Sequence, residues 1–67
     1  MSLRVDARGL RCPWPVLRLA RAFRDSDDVT ILADDPAAPD EIEAFARAKG
    51  WHVAPDAGGL RVTKVRP

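Results

Sequence analysis

The chain has 67 residues and a net charge of +1 at pH 7, with 31% charged and 46% apolar residues. This length and composition predict one folded domain over residues 1–67, and the near-neutral charge argues against the basic surface typical of nucleic-acid-binding domains. No apolar run approaches the roughly 20 residues that a membrane-spanning helix needs, and the first residues lack the apolar stretch of a secretion signal. We therefore expect a cytoplasmic protein without membrane or direct nucleic-acid contacts.

The chain contains one cysteine and one histidine, Cys12 and His52. A single cysteine cannot form a disulfide within the chain, and one Cys with one His falls short of the four ligands of a structural zinc site. The remaining residues contain no glycine-rich phosphate loop and no Ser-His-Asp set. The sequence therefore predicts neither a metal nor a cofactor.

Hydrophobic periodicity predicts strands that alternate with helices in the first 50 residues. Leu3 and Val5 alternate with polar residues, which predicts a short half-buried strand. A helix follows, because four apolar residues repeat with helical spacing, namely Val16, Leu19, Ala20 and Phe23. Residues 29–33 are mostly β-branched or apolar and predict a central strand. A second helix is predicted from near Pro39 to a C-terminal cap at Gly50.

The end of the chain predicts a hairpin, in which residues 51–54 and 60–65 form strands joined by a turn at residues 56–59. The element order is then β-α-β-α-β-β. Because β-α-β crossovers are right-handed, both helices are expected on one face of the sheet. The predicted fold is an α+β two-layer sandwich with a four-stranded mixed sheet. Its far face would lack a helical cover, and we expect Leu32 and Ala54 there.

The segment Cys12-Pro13-Trp14-Pro15 lies where the first loop meets the first helix. Pro13 favours extended dihedrals at Cys12, which are those of an N-cap residue, and Pro13 itself suits the first helical position. The sulfur would then lie near the positive end of the helix dipole and beside Arg11. These conditions lower a thiol pKa from about 8.5 into a range of roughly 3.5–7.5 and favour a nucleophilic thiolate.

Two features of this segment leave its interpretation open. Trp14 precedes Pro15 and is therefore biased against helical dihedrals, so the regular helix is expected to begin a residue or two later. Most free cysteines are buried and behave as small hydrophobic residues. The alternative interpretation is therefore that Cys12 is buried and has no chemical role. We favour a reactive, exposed cysteine because of the capping position, the nearby arginines and the two prolines.

Residues 6–15 read DARGLRCPWP. This segment resembles the pattern D-x-x-G-x-x-C-P-x-P of the TusA/SirA-like sulfur-carrier family, and residues 33–37 resemble the stretch that follows the second strand in that family. The resemblance implies that Cys12 accepts sulfane sulfur as a persulfide from a donor protein such as a cysteine desulfurase or a rhodanese. The sulfur would pass to a downstream acceptor protein in tRNA thiolation, molybdenum-cofactor assembly or sulfur oxidation. Asp6, Gly9, Pro13 and Pro15 occupy fixed positions of the motif around Cys12, and Arg11, at a variable position, is included with them as a supporting residue.

Several side chains near the motif have two interpretations each. Asp6 is expected to bond the amides of the residue 8–11 loop, rather than to act as a base toward Cys12. Arg11 would stabilise a thiolate or persulfide anion, or else be a solvated loop charge. Trp14 would contact a partner or cover the core. Arg18 and Arg21, with Arg24, would dock on an acidic partner surface, or form an ordinary solvated helix face.

Residues outside the motif receive structural interpretations. Trp51 is expected to pack at the edge of the sheet, and His52 to lie on the surface. Asp34 and Asp35 fit a turn before Pro36 that needs no cation.

The leading functional prediction is a carrier-type sulfurtransferase in which the Cys12 thiolate attacks a partner's persulfide. One alternative is a nucleic-acid-binding or regulatory module, since the C-terminal domain of a bacterial translation initiation factor has the same element order. A redox-sensing thiol is another, although the chain has no second cysteine to resolve an oxidised one.

Overall fold

The structure is a computed structural model that describes residues 2–56 and 58–64. Its elements follow the predicted order, namely β1 (Ser2–Asp6), α1 (Trp14–Ala22), β2 (Asp28–Leu32), α2 (Ala38–Lys49), β3 (His52–Asp56) and β4 (Gly59–Thr63). Parts of the predicted turn and last strand, at residues 57 and 65, lie outside the described residues. Within the described ranges, neither helix has the length and apolar character needed to cross a membrane.

The four strands form one mixed sheet in the order β1-β2-β4-β3. β1 pairs with β2 in parallel, because α1 carries the chain back between them, and the other two pairs are antiparallel. Val29 of β2 lies at the centre of the sheet, where it is paired with Leu3 on one side and Val62 on the other. The predicted α+β fold with a mixed sheet is therefore confirmed.

Both helices pack on the same face of the sheet. Along β2 the side chains alternate in burial, with Val29 and Ile31 buried, as a strand with one covered face requires. They join Leu19 of α1 and Ile42 of α2 in a single buried cluster. Full burial of such side chains stabilises the fold by about 1.5–3 kcal/mol each, so these contacts fix the position of both helices.

The ends of α2 follow the chemistry of helix termini. The helix begins at Ala38, one residue before the predicted start, with Pro39 in its first turn and the acidic Asp40 and Glu41 near its positive end. It ends at Gly50, whose φ of 76° is the left-handed conformation of a C-terminal cap. The start of α2 matters for the site, because Glu41 lies in this first turn.

Trp51 leads into the edge strand β3 and closes one end of the core. Its ring centroid lies 4.4 Å from that of Phe23 and 5.6 Å from that of Phe45, so it joins α1 to α2. The ammonium of Lys64 lies 5.3 Å from the Trp51 ring centroid, within the range of a cation–π contact. The predicted packing of Trp51 at the sheet edge is confirmed, and the neighbouring His52 is exposed, as predicted.

Among residues 2–56 and 58–64, no helix covers the opposite face of the sheet, which is largely polar. By the alternation of the strands, half-buried Leu32 and Ala54 lie on this face, where they were expected. Ala54 is paired with Arg61, whose Nε donates a 2.9 Å hydrogen bond to Oδ1 of Asp28. This ion pair ties β4 to β2 across the open face.

Candidate functional site

The loop between β1 and α1 carries the only cysteine and lies against the loop that follows β2. The amide of Ala7 donates to the carbonyl of Leu32 at 2.7 Å, so the pairing of β1 with β2 continues one residue into the loop. Ala7 is fully buried. Gly9 follows with a φ of 84°, a left-handed conformation that other residues adopt only with strain. The chain thereby turns back toward the residues after β2.

Asp6 braces the start of this loop. Its Oδ1 accepts hydrogen bonds from the backbone amide of Arg8 at 3.1 Å and from Nε of Arg8 at 2.9 Å, and Nη2 donates to Oδ2 at 2.8 Å. These bonds stabilise the charged carboxylate and lower the pKa of Asp6 to about 2. The contact is the one expected from the sequence, and it occupies the guanidinium of Arg8.

Asp34 and Asp35 hold the middle of the same loop. Asp34 Oδ1 accepts a 2.9 Å hydrogen bond from the amide of Gly9, and Asp35 Oδ2 accepts a 2.8 Å bond from the amide of Cys12. The sequence analysis assigned both residues only to a turn. Their position after a strand could have indicated this contact. The parallel strands β1 and β2 end at the same edge of the sheet, so the loop after β1 lies within reach of these two carboxylates.

The thiol of Cys12 is exposed at the end of this loop, just before α1, and faces a carboxylate. Sγ donates a hydrogen bond to Oε1 of Glu41 at 3.2 Å, and the side chain is solvent-accessible. The exposed cysteine favoured by the sequence is therefore confirmed over the buried alternative. Glu41 was not singled out by the sequence analysis, because it lies 29 residues away in the chain.

The expected lowering of the Cys12 pKa is wrong. The hydrogen bond to Glu41 raises the pKa of the thiol, and partial desolvation and the negative charges of Glu41 and Asp35 act in the same direction. A carboxylate in direct contact stabilises the protonated S–H and repels a thiolate. It outweighs the dipole of α1, whose favourable effect is confined to partial charges at the helix end.

The N-cap of α1 differs from the expectation, whereas the start of the helix one residue after Pro13 agrees with it. Pro13, rather than Cys12, is the N-cap residue, and the helix begins at Trp14 with Pro15 in its second position. The first helical residues need no amide partner within the helix, so Pro15 is tolerated there. The amide of Trp14 donates instead to the carbonyl of Arg11 at 2.8 Å. Cys12 thus lies one residue before the cap, and the Cys12–Pro13 peptide bond is cis.

Arg11 is exposed beside the cysteine. Within residues 2–56 and 58–64, its side chain makes no hydrogen bond or ion pair in this structure. Arg11 lines a shallow open groove of about 420 Å³ whose opposite side is formed by Asp34, Asp35 and Pro36. The groove offers both a cation and carboxylates to anything that approaches the sulfur.

The outer face of α1 presents apolar and basic side chains next to the cysteine loop. Trp14 is 58% exposed and Leu17 is 49% exposed, which shows that Trp14 is not buried as a lid over the core. Arg18 and Arg21 are exposed as well. These four residues occur at helical spacings of three, four and seven and therefore share one face. Leu17 was not recognised in the sequence, because its exposure depends on how α1 is rotated against the sheet.

The described residues around Cys12 form no cluster of metal ligands. In the described part of the chain, no three His, Cys, Asp or Glu side chains converge in a way that fits a metal ion. The acidic side chains near Cys12 are instead engaged with backbone amides or with the thiol.

Comparison with known proteins gives a consistent result. The family described as Sulfurtransferase TusA matches residues 3–63. Two relatives from Neisseria meningitidis, one of serogroup A and one of serogroup B, carry the name "Putative sulfur carrier protein". Each is 45% identical over 56 residues, which cover 79% of this chain and 74% of the relative. A relative of the same name from Archaeoglobus fulgidus is 43% identical over 49 residues, covering 69% of this chain and 64% of that protein.

A solved structure agrees with the sequence comparisons. The crystal structure of a SirA-like protein from Desulfitobacterium hafniense has a TM-score of 0.71 to this chain at 28% identity, and the match covers 94% of this chain and 93% of that one. The fold and the exposed thiol thus define a small α/β protein of the SirA-like kind. The chain belongs to the TusA family of sulfurtransferases. Its role is in sulfur transfer, as a sulfur carrier. Of the three functions considered from the sequence, family membership favours the sulfur carrier over nucleic-acid binding and redox sensing.

Proposed function

We propose that this protein carries sulfane sulfur as a persulfide on Cys12, between a donor protein and an acceptor protein. The observation that carries the proposal is the exposed Sγ at the end of the β1–α1 loop, within the residues that match the family. A carrier must offer its sulfur to two different proteins in turn, so the atom has to lie on the surface. The exposed thiol meets that requirement.

The transfer step requires only a nucleophilic sulfur on the carrier. The Cys12 sulfur, after losing its proton, attacks the outer sulfur of the donor's persulfide. The donor's S–S bond breaks, its electron pair leaves with the donor cysteine, and that thiolate takes up a proton. Transfer to the acceptor repeats the exchange with the roles reversed. No electrons are gained or lost overall, and the moving sulfur is itself the cargo, so no cofactor is part of the proposal.

The loop residues of the motif have supporting roles in this proposal. Asp6 holds the first turn through Arg8, and Gly9 supplies the positive φ that directs the loop toward Asp34. Pro13 and Pro15 stiffen the chain between the sulfur and the first turn of α1. Arg11, which lines the groove beside the cysteine, is proposed to attract the anionic persulfide of a docked partner.

The exposed face of α1 is proposed as the docking surface for the donor and acceptor. Trp14 and Leu17 supply apolar area, and Arg18 and Arg21 supply positive charge beside it. Aromatic and arginine side chains are enriched among residues that dominate binding energy at protein interfaces. The suitable partner surface is an apolar patch bordered by carboxylates, such as one on a cysteine desulfurase or a rhodanese. Cytoplasmic location and a role in tRNA thiolation, cofactor assembly or sulfur oxidation belong to the same proposal.

The test is to incubate the protein with a cysteine desulfurase and cysteine and to measure its intact mass. We expect the mass of one added sulfur atom on the peptide that contains Cys12, removed by a thiol reductant. Cys12→Ser, checked for folding by circular dichroism, should take up no sulfur. Uptake by the serine variant, or none by the wild type with any desulfurase or rhodanese tried, would contradict the proposal.

A further inference from the structure

The residue that contacts the reactive sulfur most directly lies outside the sulfur-carrier motif. Glu41 belongs to the first turn of α2 and places Oε1 3.2 Å from Sγ of Cys12. A neutral thiol can donate a hydrogen bond to a carboxylate at this distance, whereas a thiolate there would be a second negative charge against the first. The contact as built therefore fits the protonated form of Cys12.

The other charged groups around the sulfur do not reverse this preference. Asp35, from the loop between β2 and α2, adds a second negative charge, and its Oδ2 bonds the Cys12 amide rather than the sulfur. On the cysteine's own side, Arg8 is paired with Asp6, and Arg11 lines the groove and makes no hydrogen bond to the sulfur within residues 2–56 and 58–64. These contacts explain why the pKa of the Cys12 thiol is raised.

We propose that Glu41 is a positioning residue that keeps Cys12 protonated while it carries no sulfane sulfur. Glu41 thereby sets the pH range over which the carrier takes up sulfur. The inference rests on the proposed function and adds a regulatory residue to it. Because the thiolate is the form that electrophiles and oxidants attack, a carrier held as the thiol is less reactive between transfers.

Glu41 does not change the balance of atoms and protons in the sulfur-transfer step. Cys12–SH and the donor's R–S–SH become Cys12–S–SH and R–SH, so the proton that leaves Sγ is matched by the proton gained by the donor's thiolate. Glu41 is neither consumed nor oxidised. It determines only how readily the Sγ proton leaves, through the hydrogen bond that must break before the attack.

The test is the rate of Cys12 alkylation by iodoacetamide as a function of pH, in wild type, Glu41→Gln and Glu43→Gln. Glu43 is an exposed carboxylate on the same helix, two residues further on, and serves as the matched control. We expect the wild-type midpoint to lie above the ordinary thiol value of about 8.5 and the Glu41→Gln midpoint to be lower. Each unit of that difference raises the thiolate fraction at pH 7 about tenfold, and alkylation becomes faster by a smaller factor because a thiolate of lower pKa is a weaker nucleophile. Glu43→Gln should follow the wild type.

A wild-type midpoint at or below the ordinary value, or identical profiles for wild type and Glu41→Gln, would overturn the role of Glu41. Sulfur uptake from a cysteine desulfurase at pH 7 is measured on the same three proteins, and Glu41→Gln should load faster than the other two. If the alkylation midpoint of Glu41→Gln equals that of the wild type and all three proteins take up sulfur, only the role of Glu41 is overturned. Shifted alkylation with no uptake by any of the three proteins overturns the carrier function instead.

Discussion

The backbone amide of Cys12 donates a 2.8 Å hydrogen bond to Oδ2 of Asp35, which lies 23 residues further along the chain. The other oxygen of this carboxylate, Oδ1, accepts from the amide of Ala37 at 3.3 Å, just before α2. One side chain therefore joins the cysteine loop to the beginning of the second helix. The position of the sulfur relative to Glu41 depends on this link, since Glu41 lies one turn further into α2.

We expect Asp35→Ala to free the cysteine loop and to lower the free energy of unfolding by about 1 kcal/mol, as the loss of hydrogen bonds at a partly exposed site predicts. Hydrogen exchange at the Cys12 amide should become faster, and urea unfolding measures the stability. Asp25→Asn, in the exposed turn after α1, is the control and should change neither. Unchanged protection of the Cys12 amide in Asp35→Ala would contradict the link.

The two tryptophans should differ sharply in their contribution to stability. Trp51 contacts Phe23 and Phe45, and we expect Trp51→Ala to cost roughly 3 kcal/mol, at the low end for large aromatic side chains because Trp51 is only partly buried. Trp51→Phe retains ring contacts and should cost less. Trp14→Ala removes an exposed ring and should change the free energy of unfolding by less than about 0.5 kcal/mol. Equal losses at the two positions, measured in urea, would refute the packing described above.

Trp14 should matter for docking rather than for folding. We expect Trp14→Ala and Arg18→Gln to slow sulfur uptake from a cysteine desulfurase by about fivefold or more at low donor concentration, as residues at the centre of an interface do. Their alkylation by iodoacetamide should match the wild type, because the hydrogen bond of Sγ is made to Glu41 and involves neither side chain. Arg47→Gln, on the exposed side of α2, is the control. Normal uptake by both α1 variants would exclude this face as the docking surface.

The ion pair of Asp6 with Arg8 predicts an acid-shifted titration. Arg8 lowers the pKa of Asp6 from 3.8 to about 2, so the contribution of the pair to stability is present above about pH 4 and is lost as the pH falls through about 2. Carboxyl chemical shifts measured by NMR should give this midpoint. Arg8→Gln should return it toward 3.8. An Asp6 midpoint near 3.8 in the wild type would show that the pair does not persist in solution.

Two glycines should resist substitution for different reasons. A Cβ on Gly59 would lie 2.5 Å from the carbonyl oxygen of Ile31, so Gly59→Ala should destabilise the fold by roughly 1–3 kcal/mol through overpacking. Gly50 has open space around it but a φ of 76°, so Gly50→Ala costs about 1–2 kcal/mol through strain.

Asparagine distinguishes the two causes, because it tolerates the left-handed conformation but still carries a Cβ. Gly50→Asn should be more stable than Gly50→Ala, whereas Gly59→Asn should gain nothing over Gly59→Ala. Thermal unfolding of the four variants measures both differences. A fully stable Gly59→Ala would contradict the close approach of β4 to β2.

Much of the fold could be predicted from the sequence, because it depends on patterns that are local in the chain. The helical spacing of Leu19 and Phe23 and the β-branched run around Val29 predicted their elements correctly, and Gly50 marked the end of α2. The N-cap of α1 was misassigned by one residue, because proline preferences alone do not show which amides the loop satisfies. The rotation of α1 that leaves Leu17 exposed depends on packing against the sheet.

By itself the sequence determined the order of the elements and the place of Cys12 before α1. Only the tertiary structure decided the charge around the sulfur, because Glu41 and Asp35 reach it from 29 and 23 residues away. A direct hydrogen bond to a carboxylate outweighs the partial charge of a helix end. The direction of the Cys12 pKa shift was therefore set by chain segments that meet only after folding.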